Sequence, residues 1–261
     1  MAFTSPTMTI MMRAAEKAAR SLLRDFNEVE NLQVSVKGPH NFVSAADKRA
    51  EKIIFEELSK ARPDYGFIME ESGKINATRQ NVFVVDPLDG TDNFLHGIPH
   101  WAINIGYMKD GEILAGLTYD PVRDEMFYAE KNSGAFLRNR RLRVSNRQEL
   151  HRAKVSGPTT FKANKDYEKV NKRYQKMRNA DLNMLQMGST ALDLAYVAAG
   201  RLDTALCQHF EIWDVVPGIM MVKEAGGTVY SLDRNVDPAF STALVAGNGH
   251  VDRALMQIVE G

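Results

Sequence analysis

The chain has 261 residues, 33 of them basic and 33 acidic, so its formal charge is zero, and 44% of its residues are hydrophobic. This length can bury a large core, which excludes a disordered chain, and the neutral balance gives no bulk attraction to a polyanion. A single cysteine, Cys207, excludes an intrachain disulfide and favours a reducing compartment, so we expect a cytoplasmic protein. No apolar run approaches the roughly 20 residues that span a bilayer, and we expect no membrane association.

Two amphipathic helices are predicted at the start of the chain. Apolar residues recur at three-to-four spacing from Thr9 to about Val29, and again within "SAADKRAEKIIFEELSKARP", where Pro63 ends the pattern. The short apolar runs "YGFIMEES" and "NVFVVDP" come next. They predict strands that end in acidic turns.

The pattern of apolar and polar residues changes after Pro99. Short apolar runs alternate with turn signals such as "KDGE" and "KNSG", which predicts an antiparallel meander. From about Leu150 strands and helices alternate, and a charged helix from Lys162 to Met177 is predicted to be a solvated face rather than a nucleic-acid arm. We therefore predict two domains, an N-terminal α+β domain over residues 1–147 and a C-terminal α/β domain over residues 148–261.

Three segments place carboxylates where a strand or helix is predicted to begin or end. "MEES" contributes Glu70, "NVFVVDPLDGTDNF" contributes Asp86 and Asp89, and "IWDVVPG" contributes Asp214. Oxygen ligands select magnesium, manganese or calcium over zinc. The alternative is that Asp86 and Asp89 only cap a helix or shape a turn, because aspartate is common at both places.

The turn that follows Asp89 suits an anion. Gly90 and Thr91 are predicted to begin a helical turn, where backbone N–H groups are free to meet a phosphate oxygen. Gly90 has no side chain to block that approach. Carboxylates next to an anion-binding turn would repel the anion. Their presence there indicates a cation between the carboxylates and the anion.

The same segments resemble a known family. "MEES", "DPLDGTDNF" and "WDVVPG", in this order, resemble the signatures of the inositol monophosphatase family, and "KGPHNFVSAADKRAE", "GSTALDLAYVAAGRLD" and "EAGGTVYSLD" extend the resemblance over nearly the whole chain. It is similar to the bacterial extragenic suppressor-like members. The resemblance implies an α/β fold, the layered αβαβα sandwich shared with fructose-1,6-bisphosphatase, with a metal site at the junction of the two predicted domains.

The resemblance also implies an activity and its residues. Family members are magnesium-dependent, lithium-sensitive phosphoric monoester hydrolases. Two to three Mg²⁺ ions would be held by Glu70, Asp86, the Leu88 carbonyl, Asp89 and Asp214. The attacking water would be oriented and deprotonated by Glu70, Thr91 and Asp47. The substrate would contact Asp89, Gly90, Thr91, Ser189, Thr190, Cys207 and Asp214.

One position departs from the family pattern. Members that cleave inositol phosphate carry a glutamate where this chain has Cys207, and a thiol is a poor acceptor for sugar hydroxyls. Glu211 could compensate only if its loop bends differently. We expect the phosphate ester of a small polyol or sugar, such as inositol-1-phosphate. Histidinol phosphate, fructose-1,6-bisphosphate and nucleotide-derived phosphates stay open as alternatives.

Two other classes of function also stay open. A binding module could keep this fold and contact RNA or the transcription machinery, as extragenic suppressor proteins of the family do. A calcium-binding structural protein would leave Thr91 and Asp47 without a role. The resemblance further implies a homodimer.

Overall fold

The computed structural model describes residues 4–32, 39–157 and 167–260. Seven α-helices lie in these ranges: α1 (Pro6–Leu32), α2 (Pro39–Ala61), α3 (Thr91–Leu95), α4 (Tyr167–Asn179), α5 (Thr190–Ala198), α6 (Ile212–Glu224) and α7 (Val251–Glu260). None of them combines the length and the hydropathy needed to cross a membrane.

Eight strands form the first sheet, in the order β2-β1-β3-β4-β5-β6-β7-β8. They are β1 (Gly66–Met69), β2 (Gly73–Ile75), β3 (Asn81–Asp89), β4 (Ala102–Lys109), β5 (Glu112–Asp120), β6 (Glu125–Glu130), β7 (Gly134–Leu137) and β8 (Arg140–Arg141). Strands β1 and β3 pair in parallel, β3 and β4 pair in the antiparallel sense, and β4 to β8 form the antiparallel meander that the turn signals predict.

Five strands form the second sheet, in the order β10-β9-β11-β13-β12. They are β9 (Lys154–Ser156), β10 (Asn183–Leu185), β11 (Thr204–Gln208), β12 (Thr228–Ser231) and β13 (Ala243–Gly247). Strands β9, β10 and β11 run parallel, whereas β13 is antiparallel to both of its neighbours.

Helices and sheets alternate in five layers. Helices α1 and α2 pack on one face of the first sheet, α5 and α6 lie between the two sheets, and α4 and α7 pack together with α7 against the second sheet. This arrangement confirms the predicted αβαβα sandwich. The division at residue 147 stays a prediction, because α6 contacts strands of both sheets.

Helix α6 lies unusually close to the first sheet. A Cβ atom at Gly116 of β5 would stand 2.5 Å from the Pro217 Cα, and one at Gly106 of β4 would stand 2.5 Å from a methyl group of Val216. Real Cβ atoms do not approach backbone this closely, so these two glycines set the distance between the helix and the sheet.

Several element boundaries differ from the sequence prediction. Helix α1 extends beyond Thr9–Val29 at both ends, and α2 begins at Pro39, before the predicted serine. The charged helix begins at Tyr167, and residues 162–166 of its predicted range lie outside the described residues. Helix α7 was not predicted. Its apolar face packs on the second sheet and becomes evident only once that sheet is formed.

Candidate metal centre and active site

Carboxylates from separate elements meet at one end of the first sheet. One oxygen each of Asp86, Asp89 and Asp214 lies within 4.8 Å of the other two. The Glu70 side chain lies beside them, since its charge raises the pKa of Asp86. The structure thus brings together the four acidic side chains that the sequence identifies as candidate ligands.

Strand pairing explains how Glu70 reaches Asp86. Because β1 and β3 are parallel, the residues that follow Met69 and Val85 leave the sheet side by side. The Glu70 N–H donates to the Val85 carbonyl at 3.2 Å, which continues the ladder by one residue. Two carboxylates that are 16 positions apart in the sequence therefore become neighbours.

The end of β3 turns the next ligands toward the same point. The register between β3 and β4 shifts between Asp86 and Asp89, so Pro87 falls in an irregular stretch and costs no ladder hydrogen bond. The Leu88 N–H donates to Asp86 Oδ1 at 2.9 Å, and the Thr91 hydroxyl donates to the Leu88 carbonyl at 3.0 Å. This carbonyl keeps a second lone pair, as a metal ligand requires.

Asp89 is held by the start of α5, which is part of the second half of the chain. Its Oδ2 accepts hydrogen bonds from the Ser189 hydroxyl and from the Ala191 N–H, the latter at 3.1 Å. Ser189 also caps α5, since its oxygen accepts from the Leu192 N–H at 3.2 Å. The sequence assigned Ser189 to substrate, whereas here its hydroxyl positions a carboxylate of the cluster.

Asp214 is placed by a residue that the sequence analysis missed. Pro217 has no N–H, so the Trp213 carbonyl one turn earlier lacks its helical donor. The fully buried Asn104 of β4 supplies the donor, because its Nδ2 reaches the Trp213 and Asp214 carbonyls at 2.7 and 3.0 Å. The Thr118 hydroxyl fixes the Asn104 side chain from the other side at 2.6 Å.

We expect Asn104→Ala to lower the free energy of unfolding by about 3 kcal/mol and to weaken Mg²⁺ binding about tenfold. Without the Asn104 amide, the first turn of α6 would lose its hydrogen bonds to β4, and the position of Asp214 in that turn would be less well fixed. Urea unfolding and a magnesium titration check both effects, and Asn179→Ala, exposed at the end of α4, is the matched control. Unchanged magnesium affinity in Asn104→Ala would contradict this positioning role.

Asp47 approaches the cluster from α2. It is 5% exposed, and its Oδ1 has no hydrogen-bond partner among the described residues. One turn further along α2, the buried Glu51 accepts a hydrogen bond from the Glu71 N–H at 2.8 Å and another from the Ser72 hydroxyl. Glu51 thereby holds the segment that carries Glu70, a role the sequence analysis did not assign.

Burial raises the pKa of every carboxyl group in this cluster, and repulsion between the groups adds to the effect for all of them except Asp89. Burial first, and then the charges of Glu70, Asp89 and Asp214, raise the pKa of Asp86 well above its ordinary value. Burial and the neighbouring Asp89 raise the pKa of Asp214 to about 8, and burial with Glu70 raises the pKa of Asp47 to about 8. The folded chain therefore concentrates carboxylates whose negative charge no basic side chain of the cluster neutralises. All the candidate ligand atoms are oxygens, and such a set fits hard divalent cations such as Mg²⁺.

A cavity of about 400 Å³ opens beside the cluster and shares Asp89 with it. The predicted substrate residues Gly90, Thr91, Ser189, Thr190 and Cys207 all line this cavity, whereas Asp214 does not. Glu211 lies outside the lining as well, so it does not take the place of the missing glutamate.

Gly90 permits the tight approach that shapes the cavity. Its φ is 91°, and a Cβ atom there would lie 3.1 Å from the His100 carbonyl oxygen and 3.3 Å from that of Gly188. Only glycine adopts this left-handed conformation without strain.

The far wall of the cavity carries polar atoms without partners. Asp193 Oδ2 accepts from the Ser156 hydroxyl at 2.6 Å, but its Oδ1 has no hydrogen-bond partner within the described ranges. Gln208 Nε2 likewise has no hydrogen-bond partner among the described residues. Arg173 Nη1 donates to Gln208 Oε1 at 2.7 Å, so the amide oxygen points toward Arg173 and the amide nitrogen points away from it. Burial raises the pKa of the intervening Cys207 thiol, which keeps it protonated. Neither Asp193 nor Gln208 was a predicted site residue.

Comparisons with known proteins decide the family. A sequence model of the inositol monophosphatase family matches residues 4–260. The chain belongs to the inositol monophosphatase family. As a member it shares 44% identity with an inositol-1-monophosphatase of Mesorhizobium japonicum, over 98% of this chain and 97% of that protein. It shares 36% with the Nus factor SuhB of Escherichia coli, over 96% and 94%.

Solved structures of the family show the same fold. The extragenic suppressor protein suhB of Bartonella henselae superposes with a TM-score of 0.89 at 46% identity, covering 98% of this chain and 99% of that one. An inositol monophosphatase from Anabaena (Nostoc) sp. superposes with a TM-score of 0.83 at 28% identity, covering 97% and 94%. The names of the relatives point to a phosphatase of this family and also to a transcription factor, so the exact activity has to be argued from the site.

Proposed function

We propose that this protein hydrolyses the phosphate monoester of a small polyol, such as inositol-1-phosphate, with Mg²⁺ as its cofactor. One observation carries the proposal: Asp89 belongs both to the buried carboxylate cluster and to the wall of the adjoining cavity. A phosphoryl group in the cavity would therefore lie next to the cations that the cluster attracts.

The cluster supports a metal-dependent reaction. We assign the cation ligands to Glu70, Asp86, the Leu88 carbonyl, Asp89 and Asp214, for two to three Mg²⁺ ions. When bound, such ions lower the pKa of a coordinated water and stabilise the departing alkoxide oxygen. The ring of carboxylates would repel a phosphate dianion by itself, so the ions are needed for the substrate to enter.

Residues of the chain supply the remaining steps. The Thr91 hydroxyl proton is directed at the Leu88 carbonyl, so the Thr91 oxygen has lone pairs free to accept a hydrogen bond from the attacking water. The unpartnered Oδ1 of Asp47 would accept the proton of that water, with Glu70 beside it. The N–H groups of Gly90 and Thr91 would hold the phosphate oxygens.

The far wall supports a polyol as the alcohol. Asp193 Oδ1 is an acceptor and Gln208 Nε2 a donor, and hydroxyl groups can serve both. An amino alcohol would pair with Asp193 and leave the Gln208 amide unpaired, while a second phosphate would meet the Asp193 carboxylate. These contacts favour inositol-1-phosphate over histidinol phosphate and fructose-1,6-bisphosphate.

The direct test is phosphate release from these esters with and without magnesium. We expect inositol-1-phosphate to be turned over with the highest kcat/KM and no turnover after removal of the metal. A preference for the bisphosphate would contradict the assigned alcohol pocket. Absence of hydrolysis of every ester would contradict the phosphatase itself.

We expect Asp193→Asn to raise the KM for inositol-1-phosphate about tenfold with a smaller change in kcat, since a lost hydroxyl contact leaves the chemistry intact. Steady-state kinetics with saturating magnesium measure both constants. The matched control is Asp181→Asn, an exposed aspartate outside the site. Equal kinetics of Asp193→Asn and the wild type would show that the substrate does not use this carboxylate.

Lithium sensitivity and the homodimer are proposals from the family resemblance, and the cytoplasmic location is a proposal from the single cysteine. We expect millimolar lithium to inhibit turnover by replacing one magnesium ion. Turnover that stays constant in lithium would reject this property and leave the phosphatase assignment in place. Light scattering of the purified protein tests the dimer.

A second candidate function follows from the relatives that are named Nus factor SuhB. A transcription role would use a surface other than the carboxylate cluster. Arg140 and Arg141 of β8 are exposed and available for a partner, whereas Arg138 and Arg147 pair with Asp124 and Asp203. Retention of RNA polymerase or RNA binding by the catalytically inactive Asp86→Asn variant would support this role.

A further inference from the structure

A concave basic surface lies between α4 and the end of α7, away from the carboxylate cluster. A cavity of about 410 Å³ there is lined by five cations and one carboxylate, which are Lys169, Lys172, Arg173, Lys176, Arg234 and Glu260. We refer to this surface as the α4–α7 groove. Four of its cations recur at helical spacing on α4, so they occupy one face of that helix.

Arg173 forms the floor of the groove and makes no direct ion pair among the described residues, although the charges of Asp233 and Glu260 act on it. Its side chain belongs to the buried set at 8% exposure, and burial lowers its pKa. Nη1 donates to Gln208 Oε1 at 2.7 Å, but no carboxylate oxygen of the described residues lies within 4.0 Å of the guanidinium. Buried charges in proteins are normally paired, because an unpaired one pays its full desolvation cost. A directly bound anion would complete the neutralisation of this guanidinium.

Two carboxylates, Asp233 and Glu260, offset only part of the surrounding positive charge. Lys169 stands 3.9 Å from Asp233, whose other oxygen already accepts from the Thr242 N–H and hydroxyl. Lys176 donates to the Val259 carbonyl at 3.3 Å. Lys172 and Arg234 have no acceptor within the part of the chain that the structure describes. The groove is therefore a local positive field on a chain whose formal charge is zero.

We propose that the α4–α7 groove binds a small, multiply charged anion with the chemistry of pyrophosphate or of a metabolite with a terminal phosphate. The volume lies in the range of small-molecule sites. The planar guanidinium at the floor donates to two oxygens of one phosphoryl group, and the lysines at the rim complete the neutralisation. Arg173 also reaches Gln208, so an anion here contacts a residue that positions the wall of the candidate active site.

Calorimetric titration with pyrophosphate in EDTA tests this proposal. Removal of divalent cations leaves the active-site carboxylates repulsive to the probe, so the assay does not depend on the proposed enzymatic activity. We expect saturable binding, weakened about tenfold or more in Lys172→Gln/Arg234→Gln. Both side chains are exposed, so the variant keeps its fold. Arg20→Gln/Lys109→Gln removes the same charge from the first half of the chain and serves as the control.

The side-chain amide resonances of Gln208 provide a second readout. We expect them to shift during the titration of the wild type and not in Lys172→Gln/Arg234→Gln. No saturable heat, or equal weakening by the control pair, would overturn the proposal. Tight binding of a 12-nucleotide RNA that pyrophosphate fails to displace would also overturn it, since the groove would then serve a polymer.

Discussion

Asp86→Asn is expected to lower turnover of phosphate esters by about 10³-fold or more. Asp86 is 2% exposed, feels the charge of Glu70 and lies within 4.8 Å of oxygens from Asp89 and Asp214, so its charge acts at the centre of the cluster. The amide keeps the volume and the hydrogen bond from the Leu88 N–H but loses the negative charge. Rates at saturating magnesium and substrate measure the effect.

The matched control for this change is Asp64→Asn, which removes the same charge from an exposed turn. We expect the control to retain wild-type turnover and the same magnesium requirement. Near wild-type activity of Asp86→Asn would remove the cluster from the reaction, and the proposed function would then lose its main support.

The metal-free protein is expected to lose stability as the pH rises from about 4 to about 8. The folded-state pKa values of Asp89, Asp47 and Asp214 are raised to about 6, 8 and 8, mainly by burial, above the 3.8 of the unfolded chain. Below about pH 4 both states are protonated. Between these limits only the unfolded state releases its protons, so unfolding becomes progressively easier as the pH rises.

Urea unfolding in EDTA at pH 5 and pH 8 measures this loss. Asp86→Asn should raise the stability of the metal-free protein at pH 8, because one of the repelling charges is gone, and the gain should disappear near pH 4. Magnesium should stabilise the wild type at pH 8 and act weakly on the variant. A wild type that is equally stable at both pH values, with no response to magnesium, would contradict the repulsion inferred here.

The sequence predicted the residues of the site better than their arrangement. Glu70, Asp86, Asp89 and Asp214 follow from short motifs at element ends, since a strand or helix end can be identified from local spacing. Ser189 shows the limit of this approach, because its motif indicates a substrate contact while its hydroxyl donates to Asp89, 100 positions away. A short sequence motif gives no information about a hydrogen bond between residues this far apart in the chain.

Asn104 and Glu51 illustrate two kinds of missed residue. Asn104 could have been identified from the sequence as a buried polar residue. Its amide stands in the middle of the apolar run "WAINIGY", and a buried amide needs hydrogen-bond partners. Its partner, the carbonyl left free by Pro217, lies 109 positions later and could not be named. Glu51 lies on a helix rich in charge, where an inward carboxylate looks the same as a solvated one.

The sequence by itself determined the ligand chemistry, the family and the alternation of helices and strands, because these depend on residue type and local periodicity. The tertiary structure decided which polar atoms of the described residues stay unpaired, among them Asp47 Oδ1, Asp193 Oδ1 and Gln208 Nε2. Whether a buried donor, acceptor or charge has a partner depends on every element that packs around it. That information exists only once the two sheets and the helices between them have come together.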